Sequence, residues 1–395
     1  MKQWLGLNWP INLTTGWGVL GLNLALQAEL DGRFSAVPLA PTGDLDLFSD
    51  EQKLTLDKVF LREKAAFEML RRNLEGCFLC GFPVVQGLGN RLAYITPGGA
   101  ERVKGSTNFA IAFFEDSHLG DGAVERSKHF DLILAGSKWN ERVLRRNGIA
   151  NVEAWWQGVD LSIFKPTRRL QGPKPRFLVF SGGKLEYRKG QDIVVAAFRE
   201  FHKRHADAVL VTAWQNPLPT TMTTIHAGGH VRGFPPVDPQ GRADVVGWLE
   251  ANGIPQGACQ DVGRLPNRRM SEVYAQADVA VFPNRCEGGT NLVAMECMAC
   301  AAPTILSANT GHLDLLDEKH CYPLLKQTAS APVTPVRGTE GWGESDVAEI
   351  VEVLERVYTN RQEANERGKA AARFMEDWSW TKRFGAFMQH LRAIL

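Results

Sequence analysis

The 395-residue chain is longer than one hydrophobic core comfortably organises and long enough for two domains of ordinary size. Its 45 Lys and Arg nearly cancel its 44 Asp and Glu, which argues against a nucleic-acid or polyanion binder held by bulk charge. No apolar run reaches the roughly 18 residues that span a bilayer, and the N-terminus lacks the segments of an export signal, so a cytoplasmic protein is expected.

Seven cysteines, an odd number, point to reduced thiols. The spaced pairs Cys77/Cys80 and Cys297/Cys300 could in principle build a four-thiolate zinc site. The first pair lies in the apolar run CFLCGFPVV and the second shares a helix with Met295 and Met298, so both read as small buried hydrophobes and no metal is expected.

The N-terminal half alternates apolar runs with helix-like stretches, the pattern of a parallel sheet with crossover helices. Leu5 to Trp9 reads as the first strand, Val19 to Leu30 as the first helix and Phe34 to Leu39 as the next strand. Between the first two, Gly16-Trp-Gly-Val-Leu-Gly21 spells G-x-G-x-x-G. It does not read as a dinucleotide turn: Asn8 to Thr15 intervene after the strand, and no ribose-binding acid follows the next one. Gly16 and Gly18 still let a ligand approach the backbone, the alternative being a plain connection.

An amphipathic helix over Asp50 to Leu74 places Leu54, Phe60, Phe67 and Leu70 at apolar positions. Its Arg62, Lys64, Arg71 and Arg72 face either water or an anionic membrane or acceptor, which allows a peripheral place at the inner face of a membrane. Strands follow at Phe82 to Gln86 and Ala110 to Phe114, the latter closing on Glu115-Asp116-Ser117-His118. Residues just past the carboxyl end of such a strand face the ligand crevice of an open sheet, so His118 is a catalytic candidate as well as an ordinary surface histidine. Asp131 to Ala135 is a strand, Ser137 precedes a helix over Asn140 to Asn147, and the proline-rich Pro166 to Pro175 reads as a linker.

The second half repeats the alternation. Strands are expected at Phe177 to Phe180, Ala208 to Ala213, Cys259 to Val262, Val279 to Phe282 and Pro303 to Leu306. Helices are expected at Gln191 to His205, Val245 to Asn252, Met270 to Gln276 and after Asn291. Gln215 to Gln240 reads as a long surface loop, and Asp346 to Leu395 as mostly helical with a break near Trp378-Ser-Trp380.

Two turns carry chemistry. Gly288-Gly289-Thr290-Asn291 opens a helix whose first N–H groups lack intrahelical acceptors, a ready cradle for a phosphate, and Glu287 and Glu296 bracket it as acceptors for hydroxyls. The bland alternative is an ordinary strand-to-helix connection. Gly183-Lys184 and Lys189-Gly190, with Arg188 between, cluster three cations that repel one another unless an anion sits among them; the alternative is an exposed basic turn.

Together these residues resemble the GT-B glycosyltransferases, specifically the large retaining group that contains sucrose-phosphate synthases and many bacterial envelope and polysaccharide transferases. The segments that carry the resemblance are Ser137 with its helix, Gln157-Gly-Val-Asp160 with Phe164 and Pro166, Gly183-Lys184 with Lys189-Gly190, Asp261-Val-Gly263-Arg264-Leu265 with Tyr274 and Asp278, and Pro283 to Pro303. The resemblance implies an α/β fold of two Rossmann-like parallel-sheet domains facing a cleft: an acceptor domain over 1–168, a donor domain over 169–376, and a C-terminal helix over 377–395 that packs back on the first. It implies transfer of a sugar from a nucleoside-diphosphate-sugar co-substrate to a glycan, lipid-linked or protein acceptor, with retention, no metal, no further cofactor and no nucleic acid.

Lys184, in place of the family's usual arginine, and Lys189 would neutralise the diphosphate, with Gly183 and Gly288 to Asn291 beside the phosphates. Glu287 would take the donor sugar's hydroxyls, Glu296 the ribose, and Arg264 and Leu265 the base through main-chain atoms. Eight residues separate Glu287 from Glu296 where the family has seven, which places the extra residue in the Gly288-Gly289-Thr290 loop. Asp44-Leu-Asp46 spells the D-x-D metal string of the other transferase fold but follows Pro41-Thr-Gly43 instead of closing a strand, and reads as chance. An epimerase or phosphorylase on the same scaffold, or a nucleotide-sugar-binding protein without turnover, are the alternative functions.

Overall fold

The computed structural model describes residues 2–43, 50–72, 76–96, 98–167, 176–216 and 219–395. The Asp44-Leu-Asp46 string, the stretch 168–175 and the side chains of Arg71 and Arg72 lie outside the described residues. The chain divides into two compact units, Met1–Gly158 with Trp378–Leu395, and Val159–Asp377. The first division falls upstream of the proline-rich stretch.

In the first unit β1 (Gln3–Asn8), α1 (Gly16–Asp31), β2 (Phe34–Pro38), α2 (Asp50–Arg72), β3 (Phe78–Leu79), β4 (Val84–Leu88), β5 (Val103–Lys104), β6 (Asn108–Ala112), α3 (Asp121–Ser127), β7 (Leu132–Ala135), α4 (Lys138–Arg146) and β8 (Val152–Ala154) follow in order. A six-stranded sheet runs β2-β1-β4-β6-β7-β8, and every pairing in it is parallel. The interior strands β4, β6 and β7 are buried over nearly their whole length and mostly apolar, as in a parallel sheet packed on both faces, with Gln86 a polar exception that accepts from Asn8. Thr15 caps α1 by accepting from Gly18 N, and Gly32 ends it at φ 78°, a left-handed conformation that glycine adopts freely. The C-terminal helix Trp380–Arg392 supplies Trp380, Phe384, Phe387 and Leu391 to this unit's core, beside Leu5, Leu24 and Trp155.

The second unit contains β9 (Phe177–Gly182), α5 (Gln191–His202), β10 (Ala208–Ala213), α6 (Pro219–Met222), α7 (Val245–Ala251), β11 (Cys259–Asp261), α8 (Asn267–Gln276), β12 (Val279–Phe282), α9 (Leu292–Ala299), β13 (Thr304–Ser307), β14 (Tyr322–Leu324), β15 (Gln327–Ala329), β16 (Gly343–Ser345), α10 (Val347–Thr359) and α11 (Arg361–Met375). Its six-stranded parallel sheet runs β11-β10-β9-β12-β13-β14, and β15 and β16 form a small antiparallel hairpin. The winding proceeds from β9 outward to β11, then returns to β9's other side with β12. Ligands of open α/β sheets bind at such a reversal, beyond the carboxyl ends of the two strands that flank it.

Several expectations need correction. The stretch 215–240 is not a plain surface loop: α6 and a 3₁₀ turn at Ile225–Gly228 bury Met222, Ile225 and Val231 in the core. Its polar and Gly/Pro composition masks three apolar anchors. On α2 the buried stripe runs through Leu56, Val59 and Ala66, with Phe60 and Leu70 packed against the core as expected, whereas Leu54 is 75% exposed. Arg62 points neither to a membrane nor to water; it donates to Ala36 O at 2.7 Å and pairs with Glu29. No described helix is long and apolar enough to cross a membrane.

Candidate functional site

The turn after β9 is shaped by its glycines. Gly183 takes φ 114° and Gly190 φ 69°, both in the left-handed region, and a Cβ on Gly190 would stand 2.2 Å from Pro283 O. Gly190 is therefore glycine for two reasons, conformation and the closeness of the loop that follows β12. Between them the chain makes a 3₁₀ turn at Tyr187–Lys189. Arg188 O accepts from the N–H groups of Arg285 (2.8 Å) and Cys286 (3.2 Å), so the two loops are joined backbone to backbone.

The loop after β12 is buried throughout. Arg285, with no exposed surface, forks onto both oxygens of Asp192 (2.8 and 2.7 Å), reaches Glu344 at 2.9 Å and Tyr187 O at 2.7 Å, and lies over the Tyr187 ring. A fully paired buried arginine of this kind fixes geometry more than it adds stability. Asn291 caps α9 in a left-handed conformation (φ 56°), its Oδ1 accepting from Ala294 N. A Cβ on Gly182 would touch Val293 Cγ1 at 2.9 Å, so the end of β9 abuts the first turn of α9.

The two turns meet in an ion cluster. Lys189 Nζ pairs with Glu287 Oε1, to which Asn284 also donates, and Arg188 reaches Glu287 Oε2 at 3.4 Å. Arg188 also pairs with Glu186 at 2.8 Å, and Lys184, whose side chain is 41% exposed, stands 4.0 Å from Glu186. The cations thus do not lack anions within the protein, contrary to the expectation from the sequence: Glu186 and Glu287 lie among them. Burial pushes the Glu287 carboxyl up, but Lys189 and Arg188 more than offset it and hold the group at about 2. The same burial pulls the Lys189 ammonium down, with the Glu287 carboxylate opposing.

Behind Glu287 the loop after β13 closes in. Thr310 Oγ1 accepts from Glu287 N at 2.9 Å and Gly311 N donates to Glu287 O at 3.0 Å. Ser307 Oγ donates to Asn284 O (2.7 Å) and so accepts from His312 Nδ1 (3.0 Å), leaving His312 Nε2 to accept from Asn291 (3.1 Å). Burial pushes this imidazole down to about 4, consistent with the neutral form that pattern requires.

Glu296 lies further along α9, 4% exposed, and accepts from Tyr274 Oη at 3.0 Å. Burial raises its carboxyl to about 8, opposed by the Tyr274 hydrogen bond. Arg264 is exposed and Leu265 half-buried on the loop after β11, where Gly263 (φ 67°) turns the chain. Gly183, Lys189, Glu287, Gly288, Gly289, Thr290, Asn291 and Glu296 are thus gathered along the loops after β9 and β12 and on α9. Lys184 stands at the edge of that group, and Arg264 and Leu265 lie beyond the carboxyl end of β11, the edge strand of the sheet.

The other candidates belong to the first unit: Gly16 and Gly18 follow β1, which flanks that unit's own reversal between β1 and β4, and His118 follows β6. Gly16 begins α1, and Gly18 leaves room for Asn12, whose Oδ1 would lie 2.2 Å from a Cβ there. His118 is exposed after β6 and its N–H donates to Asp116 Oδ1 at 3.0 Å. Trp9 and Trp155 are core residues, and among the described residues all seven cysteines are free. Residues that sequence reasoning passed over are Asn284, Thr310, His312, and Tyr274 as the partner of Glu296. The loop after β13 could have been found by the rule that named the others, since it leaves the next strand beyond the reversal.

Residues 264–387 match the family described as Family 4 Glycosyltransferase in conflict systems. No curated protein matches the chain in sequence. Among solved structures, sucrose-phosphate synthase from Thermosynechococcus elongatus aligns over 100% of this chain and 99% of its own at 15% identity, with a TM-score of 0.67. HepE from Anabaena, in complex with UDP and glucose, aligns over 99% and 100% at 10% identity, with a TM-score of 0.63. A Listeria monocytogenes protein described as a UDP-N-acetylglucosamine 2-epimerase aligns over 98% and 95% at 10% identity, with a TM-score of 0.54. With two reversing parallel sheets, the glycine turns at the second reversal and these likenesses, the chain is an α/β protein of the GT-B glycosyltransferase fold.

Proposed function

We propose that the chain transfers a sugar from a nucleoside-diphosphate-sugar to a hydroxyl of a glycan, lipid-linked or protein acceptor, with retention at the anomeric carbon and without a metal. The observation that carries this reading is the junction of the Lys189 turn with the Glu287 loop at the sheet reversal, beside the N-terminus of α9. A diphosphate there meets Lys184, Lys189 and the first-turn N–H groups of α9. The bond from the anomeric carbon to the diphosphate oxygen breaks as the acceptor oxygen bonds to that carbon, and the acceptor's proton passes to the departing diphosphate. The cations and the helix terminus stabilise the charge that develops on the leaving group, the task a divalent cation performs in other transferases.

In this scheme Glu287 accepts from the donor sugar's hydroxyls, Glu296 from the ribose, and the main chain at Arg264 and Leu265 faces the base. Gly16 and Gly18 are proposed as donor-binding residues and His118 as a catalytic residue. The UDP and glucose bound by HepE make UDP-glucose the first donor to try. Purified chain supplied with UDP-glucose and a panel of sugar, lipid-linked and peptide acceptors is expected to release UDP only when an acceptor is present, with and without chelator. Activity abolished by chelator and restored by manganese would contradict the metal-free scheme. The likeness to the Listeria protein makes epimerisation the second reading, and conversion of the donor's sugar with no acceptor present would favour it.

A further inference from the structure

Arg188 is assigned no part in the chemistry above, yet both its backbone and its side chain hold the loop that carries Glu287. Its carbonyl takes two N–H groups of that loop, from Arg285 and Cys286. Its guanidinium, on a side chain 15% exposed, spans from Glu186 Oε1 (2.8 Å) to Glu287 Oε2 (3.4 Å) and donates to Cys286 O (3.4 Å). The two oxygens of Glu287 are therefore held from different sides: Oε1 by Lys189 and Asn284, Oε2 by Arg188.

A single ammonium attracts a carboxylate without fixing its plane, whereas a guanidinium fork anchored at its far end constrains the direction of approach. Glu186, 8% exposed, stands at the far end as an ion-pair partner at 2.8 Å, though its Oε1 accepts no hydrogen bond among the described residues. We propose that Arg188 is the positioning residue that orients Glu287 and thereby sets recognition of the donor's sugar, as distinct from its nucleotide. This inference rests on the donor reading given above.

The test is calorimetric titration of the full chain with UDP, ADP and GDP and with the glucose conjugate of each, in wild type, Arg188→Gln, Arg188→Lys, Glu287→Gln and the Arg188→Gln/Glu287→Gln double variant. For the base that the wild type accepts, Arg188→Gln is expected to weaken the sugar conjugate by about 10- to 100-fold, the worth of a charge-assisted contact. The free nucleotide is expected to stay within about threefold of wild type. Arg188→Lys keeps the charge and is expected to recover only part of the loss. The double variant is expected to bind the conjugate no more weakly than Glu287→Gln alone, because Arg188 acts through that carboxylate.

Equal weakening of nucleotide and conjugate, or additive losses in the double variant, would overturn the inference while leaving the donor reading in place. A wild type that binds none of these nucleotides, alone or conjugated, would remove the donor reading and this inference with it.

Discussion

Glu287 and Glu296 sit on one loop-and-helix segment, both nearly sealed from water, and their neighbours push them in opposite directions. Lys189 and Arg188 hold the first at about 2, whereas burial lifts the second from 4.5 to about 8. Between those last two values the folded chain keeps a proton on Glu296 that the unfolded chain has lost. Stability therefore falls as pH rises through that window, at ~1.4 kcal/mol per pH unit for this group. Glu287 acts with the reverse sign: its contribution is present above 4.5 and is lost as pH falls toward 2. Glu296→Gln is expected to gain stability relative to wild type progressively from about pH 5 to about pH 8, read by denaturant unfolding at several pH values. A wild-type-to-variant difference that stays constant across this range would contradict the assignment. The identities and order of these glutamates were legible in the sequence. Their opposite electrostatics were not, because the burial that raises Glu296 and the approach of Lys189 and Arg188 that lowers Glu287 exist only once the fold is formed.

At the scale of elements, three loops leave the carboxyl ends of β9, β12 and β13 and are packed against one another with almost no slack. Gly311 shows how little room remains, since a Cβ on it would stand 1.8 Å from Gly289 O and 2.8 Å from Glu287 O. Both contacts are to backbone, so no side-chain rotation relieves them. Gly311→Ala is expected to cost ~1–3 kcal/mol by displacing the Gly289 turn and to weaken nucleotide binding in parallel. A variant with wild-type melting temperature and wild-type binding would show that the loops are not locked as described.

Strands with long apolar runs, such as Ala208–Ala213 and Val279–Phe282, were readable at their true bounds. The short strands Val152–Ala154 and Tyr322–Leu324 were not, because three residues carry too little pattern and each is defined by a parallel partner far along the chain. On α2, apolar residues occur on more than one face, so periodicity alone named the wrong leucine as buried.

For the whole molecule, alternating strands and helices were enough to read two parallel-sheet units, and each sheet reverses its winding once. Such a reversal is invisible to local pattern: it is a matter of which side of β1 or β9 a later strand chooses. The same holds for the C-terminal helix, whose apolar face meets residues from the opposite end of the chain. Trp155 Nε1 donates to Arg383 O at 3.0 Å, and a Cβ on Gly158 would stand 2.7 Å from Trp380 Cα. These contacts make the last residues part of the first unit's core.

The lysine-bearing turn after β9 and the glycine loop after β12 are proposed to bind one diphosphate, and Lys184 tests this most cleanly. Its side chain is 41% exposed and its nearest acid is 4.0 Å away, so its removal leaves the core untouched. Titration of wild type and Lys184→Ala with UDP, ADP and GDP is expected to show one nucleotide bound by the wild type and about tenfold weaker binding by the variant at an unchanged melting temperature. Equal affinity in the two proteins, or no nucleoside diphosphate bound by the wild type, would contradict it.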